Sequence, residues 1–143
     1  MKAIKKDRIS REELYISMAL LMAKRATCQR LSVGCVITSK EHRIIATGYN
    51  GPLPSNNHCT TCDVNQSCNQ AVHAEANAIA FAAKEGISLK GSILYLTHSP
   101  CETCAKLIIQ SGISKVVYDK LFRTTEGLGI LEENQIEVRQ YPF

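Results

Sequence analysis

No stretch of the 143 residues is apolar over anything near the roughly 20 positions that a membrane-spanning helix needs. No membrane partner is therefore expected. A secretory leader is not expected either: Met1-Lys-Ala-Ile-Lys-Lys-Asp-Arg8 is basic, but no apolar core follows it. No segment repeats and none is of low complexity. Neither sign of charge dominates. Seventeen Lys and Arg against 13 Asp and Glu leave a net charge of +4, which suits a small anionic ligand. It falls short of the basic stripe of a dedicated nucleic-acid binder, so nucleic acid is not expected as a partner. The expectation is a soluble cytoplasmic protein folded as one domain, residues 1–143, long enough to bury a core without covalent staples.

Cysteine, in contrast, is abundant. The chain has seven, an odd number that cannot pair completely within one molecule. In a chain without a secretory signal, such cysteines point to metal binding or catalysis before disulfides.

The periodicities alternate between helix and strand. Ser10-Arg-Glu-Glu13 has the form of a capping box, and Leu14, Met18, Leu21 and Met22 follow at helical spacing. A helix is expected over about 10–26. Two β-branched runs, 33–38 and 43–47, flank a polar turn and read as a hairpin. Residues 48–70, rich in Gly, Pro, Asn, Cys and Thr, read as a long loop, and such loops are usually functional. An alanine-rich helix runs from His73 to a stop at Gly86. A strand at 93–97, a helix at 100–110, a strand at 115–118, a short helix at 126–133 and a strand at 136–139 complete the chain. Strands alternating with helices imply a layered α/β domain with a hairpin at one edge.

Two motifs carry chemistry. His73-Ala-Glu75 opens one expected helix, and Pro100-Cys-Glu-Thr-Cys104 opens another, with Ser99 as candidate N-cap. Catalytic zinc sites use three protein ligands and keep a fourth position open. One imidazole and two thiolates three residues apart, on a single helical turn, supply three. Helix N-termini favour thiolate over thiol, and proline is tolerated there. Glu75 falls beside the metal without being needed as a ligand. A lone Cys-x-x-Cys would equally fit a redox pair or half of a structural site. The combination His-x-Glu…Pro-Cys-x-x-Cys is the known signature of zinc nucleobase deaminases, and the assignment rests on that known pattern. In that chemistry zinc activates a water at neutral pH. Glu75 moves protons to the ring nitrogen and the departing amine, and ammonia leaves.

Beyond these motifs the chain resembles the deoxycytidylate (dCMP) deaminase family, from Ala23 to Gln140. The resemblance runs through Thr27-Cys28-x-Arg30-x-x-Val33-Gly34, Ala46-Thr-Gly-Tyr-Asn-Gly51, Val72-His-Ala-Glu-Ala-Asn-Ala-Ile79 and Ser99-Pro-Cys-Glu-Thr-Cys-Ala-Lys106. It continues in Ile109-Gln-Ser-Gly-Ile113 and Val117-Tyr-x-x-x-Phe-Arg123. The Tyr49-Asn50-Gly51 element and the cysteine-rich loop discriminate; the zinc motifs alone do not separate this family from tRNA adenosine or guanine deaminases. The resemblance implies a three-layer α/β/α cytidine-deaminase-like sandwich with a central mixed sheet of about five strands. It implies a homo-oligomer, hexameric or smaller, that converts dCMP to dUMP. Rival substrates are dCTP, cytidine and tRNA adenosine, and the rival of another class is a non-enzymatic zinc module binding nucleic acid. Glu75 argues against that module, because a purely structural site needs no carboxylate beside the metal.

The same resemblance implies substrate contacts at Asn50, Ala74, Arg30, Phe122 and Arg123. Asn50 would bond the deoxyribose hydroxyl or the base edge, although Asn50-Gly51 also reads as a plain turn. Arg30 and Arg123 are candidates for the 5′-phosphate, or ordinary surface arginines. Phe122 stands where the family often has tyrosine. Leu53 and Ser55 replace a proline and a glycine in a loop that contributes to dCTP and dTTP regulation in many members, which counts against those effectors here. Some members also carry a second, structural zinc on positions matching Cys28 and Cys59. Cys62 and Cys68 would complete four thiolates, with His58 as a substitute; free thiols or a disulfide are the alternatives. Cys35 is left over and reads as a small apolar residue in a buried strand.

Overall fold

The structure, a computed structural model, describes residues 6–28, 30–54 and 70–142. In chain order the elements are α1 (Arg11–Ala23), β1 (Gly34–Thr38), β2 (Ile44–Tyr49), β3 (Gly51–Pro52), β4 (Ala71–Val72) and α2 (Ala74–Glu85). They continue with β5 (Ile93–His98), α3 (Glu102–Gln110), β6 (Lys115–Lys120), α4 (Glu126–Glu133) and β7 (Glu137–Gln140). Five strands form one sheet in the order β2-β1-β5-β6-β7. The hairpin pair and the β1–β5 pair are antiparallel, while β5–β6 and β6–β7 are parallel. The expected mixed sheet is therefore present.

Period-two alternation distributes the sheet's side chains between two cores. On one face Val36, Tyr95 and Val117 pack against Tyr15, Ile16 and Ala19 of α1. On the other, Cys35, Ile37, Leu94, Leu96, Val116 and Tyr118 meet Ala74, Ala78 and Ala82 of α2, Ala105 and Ile108 of α3, and Leu131 of α4. One helix covers one face and three cover the other, which makes the α/β/α sandwich. The alanines of α2 let that helix lie close to the sheet. Gly48 in β2 has the same effect, because a Cβ there would collide with the Ala74 carbonyl oxygen and stand 3.1 Å from Ala78 N.

The local signals hold with small shifts. Ser10 caps α1, its hydroxyl accepting from Glu13 N–H at 3.0 Å. The helix stops at Ala23, short of Ala26, because Lys24, Arg25 and Ala26 close with three-residue turns onto Leu21, Met22 and Ala23. Gly86, in the left-handed region at φ 68°, ends α2 as expected. Ser99 is not the cap of α3. Cys101 is, with its sulfur 3.5 Å from Cys104 N, and Pro100 lies ahead of the helix. Ser99 instead accepts from Phe122 N–H at 2.7 Å, tying the end of β5 to the segment after β6. Gly51 and Pro52, within the long loop, pair with Val72 and Ala71, just beyond it.

Gly34 sits where α1 crosses β1. A Cβ there would overlap the Ala19 carbonyl oxygen and lie 3.0 Å from Ala23 Cα, both backbone atoms that cannot swing aside. Gly34→Ala is expected to destabilise the fold by about 1–3 kcal/mol, read as a lower urea midpoint with the slope unchanged.

Candidate active site

The two chemical motifs converge where α2 and α3 begin. His73 is the N-cap of α2 and Cys101 that of α3, both with extended backbone, so each side chain stands ahead of its helix. His73 Nδ1 lies 3.5 Å from Cys101 Sγ and 3.4 Å from Cys104 Sγ. One ligand atom from each of the three residues falls within 4.8 Å of the others. A tetrahedral zinc with ordinary Zn–N and Zn–S bonds requires N···S separations of about 3.6 Å. The donor set and its spacing therefore fit zinc, and two thiolates with an imidazole are the ligand chemistry zinc selects.

Two hydrogen bonds hold the first turn of α2 in place. Cys35 Sγ donates to the Ala74 carbonyl at 3.3 Å, and Asn77 Nδ2 donates to the Tyr49 carbonyl at 2.8 Å. Cys35 is thus a buried, small residue as expected, but it also touches the backbone between His73 and Glu75. On the α3 side, Gly127 lets α4 rest on the ligand segment: a Cβ there would overlap the Pro100 carbonyl oxygen and come 2.9 Å from the Cys101 carbonyl carbon. These supports were not legible in the motif spacing, because each is a contact between separate elements.

Glu75 is only 4% exposed. Burial pushes its carboxyl above the usual range, opposed by its own backbone N–H and by the nearby His73. Cys101 is drawn down to about 4, first by the hydrogen bond from Cys104 and then by His73, against the cost of burial. The same bond, together with burial, pushes Cys104 up. His73 is raised, chiefly by its bond to Cys101.

A cavity of about 390 Å³ opens over this cluster. Arg30, Asn50, Ala74, Glu75, Phe122 and Arg123 all line it, so the residues named from the resemblance share one wall system. Asn50 is 7% exposed, and its amide is largely committed. Oδ1 accepts from Val33 N–H at 2.8 Å and Nδ2 donates to the Leu31 carbonyl at 2.7 Å. One N–H and one lone pair remain for a ligand. The Arg123 guanidinium lies 5.4 Å from the centroid of the Phe122 ring, which braces it. Cys28 lines the cavity too. Cys59, Cys62, Cys68 and His58 lie outside the described residues, so the four-thiolate arrangement is not described; His73, Cys101 and Cys104 form the metal-ligating group found among the described residues. Sequence reasoning passed over His98, which lines the cavity as well. The alternation of β5 could have found it, because His98 shares the face of Leu94 and Leu96.

The three-layer α/β/α domain thus brings a His-Cys-Cys group fit for zinc and a buried carboxyl together at two helix N-termini. Residues 9–120 match the cytidine and deoxycytidylate deaminase zinc-binding region. The chain belongs to that family. It is 40% identical over 121 residues to ComE operon protein 2 of Bacillus subtilis, covering 82% of this chain and 64% of that protein. It is 37% identical over 146 residues to the deoxycytidylate deaminase of Saccharomyces cerevisiae, covering 95% of this chain and 46% of the yeast enzyme. The chain therefore spans between about half and two thirds of the length of these relatives. The crystal structure of the dCMP deaminase of cyanophage S-TIM5 in complex with dCMP and dUMP superposes with a TM-score of 0.84. That pair is 34% identical, over 90% of this chain and 95% of the phage chain.

Glu75 lies outside the group His73, Cys101 and Cys104. Cys104→Ala should lose the ion from this cluster, whereas Glu75→Gln should keep it. Elemental analysis after gel filtration checks both, and a zinc loss in Glu75→Gln equal to that in Cys104→Ala would contradict the separation.

Proposed function

We propose that the protein hydrolytically deaminates dCMP to dUMP and ammonia. The observation that carries this reading is the buried Glu75 carboxyl beside the His73–Cys101–Cys104 group on the wall of a nucleotide-sized cavity. The phage enzyme that shares the fold over nearly its whole length binds dCMP and dUMP, which supports the same substrate here.

His73, Cys101 and Cys104 would hold a zinc ion, which when bound would supply a Lewis-acid centre and a water reactive at neutral pH. The chain's own groups do the rest. Glu75 takes a proton from the attacking water and delivers it to the ring nitrogen; once the carbon–oxygen bond has formed, it takes the second proton from the new hydroxyl and hands it to the amine, which leaves as ammonia while the carbonyl forms. Burial raises the Glu75 pKa above the usual carboxylate value, a direction that favours proton uptake. Asn50 and the Ala74 backbone orient the base and sugar within the cavity. Arg30 and Arg123 grip the 5′-phosphate through paired N–H donors. We place the enzyme in the cytoplasm, where thiolate ligands stay reduced. Among the described residues no helix is long and apolar enough to cross a membrane. Exposed apolar residues such as Leu21, Phe81 and Leu121 support assembly into a homo-oligomer, a hexamer or smaller. A second, structural zinc on Cys28, Cys59, Cys62 and Cys68 would fix the cysteine-rich loop. Metal-replete protein should then carry about two zinc per chain, falling toward one in Cys62→Ser.

Ammonia release from a panel of dCMP, dCTP, deoxycytidine, cytidine and tRNA tests the substrate. dCMP should lead, and Glu75→Gln should lower its turnover by about 10²–10⁴-fold or more with zinc retained. Preference for any other substrate, or substantial turnover in Glu75→Gln, would contradict the reading. The phosphate contacts have their own signature. Arg123→Ala or Arg30→Ala should raise KM for dCMP, by about tenfold where a charge-assisted hydrogen bond is lost, and leave deoxycytidine nearly unaffected. Equal efficiency of the unaltered enzyme on dCMP and deoxycytidine would remove the phosphate role.

A further inference from the structure

One imidazole on the cavity wall serves neither the metal cluster nor Glu75. His98 ends β5, pairs across the sheet with Lys120 of β6, and is half-buried against the cavity. Its Nδ1 lies 2.9 Å from Thr97 Oγ1. That hydroxyl oxygen also accepts from the Gly34 N–H at 3.1 Å.

The direction of the chain follows from hydrogen-bond satisfaction. Thr97 is 1% exposed, so its hydroxyl hydrogen needs a protein acceptor. A backbone N–H can only donate, so Gly34 occupies a lone pair of Oγ1 and cannot receive the hydrogen. Among the described residues, His98 Nδ1 is the partner left to receive it. A ring that accepts at Nδ1 carries its proton on Nε2, and Nε2 is the polar atom left for the cavity. Burial, and after it the charge of Lys120, push the imidazole's pKa down, against a smaller opposing pull from Asp119. The ring is therefore a neutral donor with a defined tautomer.

We propose that His98 is a substrate-binding residue that donates Nε2–H to an acceptor oxygen of the bound pyrimidine nucleotide, with Thr97 as the positioning residue that holds the ring in that tautomer. The inference rests on the nucleotide reading above. The acceptor is an oxygen of the base or sugar, or one of the 5′-phosphate. Both present the same chemistry to an N–H, and they differ in which ligand loses affinity. A site built to hydrogen-bond a substrate oxygen discriminates against variants that leave the group unpaired.

Zinc-loaded protein is titrated with dUMP and with deoxyuridine by calorimetry, for the unaltered chain and for His98→Leu, His98→Gln and His98→Asn. A glutamine amide places its nitrogen near the position of Nε2, whereas an asparagine amide places it near Nδ1. His98→Leu and His98→Asn should weaken dUMP binding by about three- to tenfold, the worth of one neutral hydrogen bond. His98→Gln should stay within about twofold of the unaltered protein. KM for dCMP should follow the same order, and melting temperatures should fall where the substitution leaves the buried Thr97 hydroxyl without an acceptor. Loss with both ligands assigns the bond to base or sugar, and loss with dUMP alone assigns it to the phosphate. Nitrogen-15 spectra of histidine-labelled protein should show His98 as the Nε2–H tautomer. If His98→Leu does not fold, the contrast between His98→Gln and His98→Asn carries the test. Equal dUMP affinity across the folded variants, or an Nδ1–H tautomer, would overturn the assignment of His98. Failure of the unaltered protein to bind dUMP would instead overturn the nucleotide reading itself.

Discussion

The structure depends on bringing two helix N-termini to one point. Each exposes unpaired backbone N–H groups and partial positive charge, and here both meet a cluster of imidazole and thiol ligands beside a buried carboxyl. Opening α2 with His73 and α3 with Cys101 puts the ligands at the cap positions, where a side chain projects past the helix end. Glu75 then lies inside the first turn, facing the same point but shielded from solvent. Sulfur is a weak cap, and Cys101 accepts from Cys104 N–H only at 3.5 Å. Local helix stability is given up so that the sulfur remains available as a ligand.

Meeting at one point requires the helices to lie close to the sheet, and small residues make this possible. Gly48 and Cys35 face each other across the hairpin, and both touch the Ala74 carbonyl region. Ala74, Ala78 and Ala82 continue the close approach along α2. Gly127 does for α3 and α4 what Gly48 does for α2. These positions hold no reacting group, yet they set how deep the cluster sits and how much of Glu75 is withdrawn from water. Burial is the first cause of the raised Glu75 carboxyl pKa.

The cavity divides its labour in a similar way. Asn50 spends two of its hydrogen bonds on Leu31 and Val33, fixing the wall that carries Arg30. Ser99 spends its hydroxyl on Phe122 N–H, fixing the wall that carries Arg123. Residues that resemble ligand contacts in the sequence are therefore also the fasteners of the pocket. The two roles are compatible because an amide or a hydroxyl offers more hydrogen-bond sites than one partner uses.

By itself the sequence determined the order of the main helices and strands and the layered α/β class, and it marked His73, Cys101 and Cys104 as candidate ligands. The local signals are the apolar runs of β1 and β5, the Ser10 cap, the Gly86 stop, and cysteines one helical turn apart. It placed the cap of α3 wrongly at Ser99, because serine is the commoner cap and no local rule shows that its hydroxyl is wanted by Phe122, 23 residues away. Only the tertiary structure decided that His73 lies 3.4 Å from Cys104, 31 residues later, that Cys35 supports the Ala74 carbonyl, and that His98 joins the cavity with Thr97 and Gly34 behind it. Such contacts arise from the order β2-β1-β5-β6-β7. Strand order is settled by which faces bury together, and that is a property of the packed sheet and its helices, beyond the reach of any local run of residues.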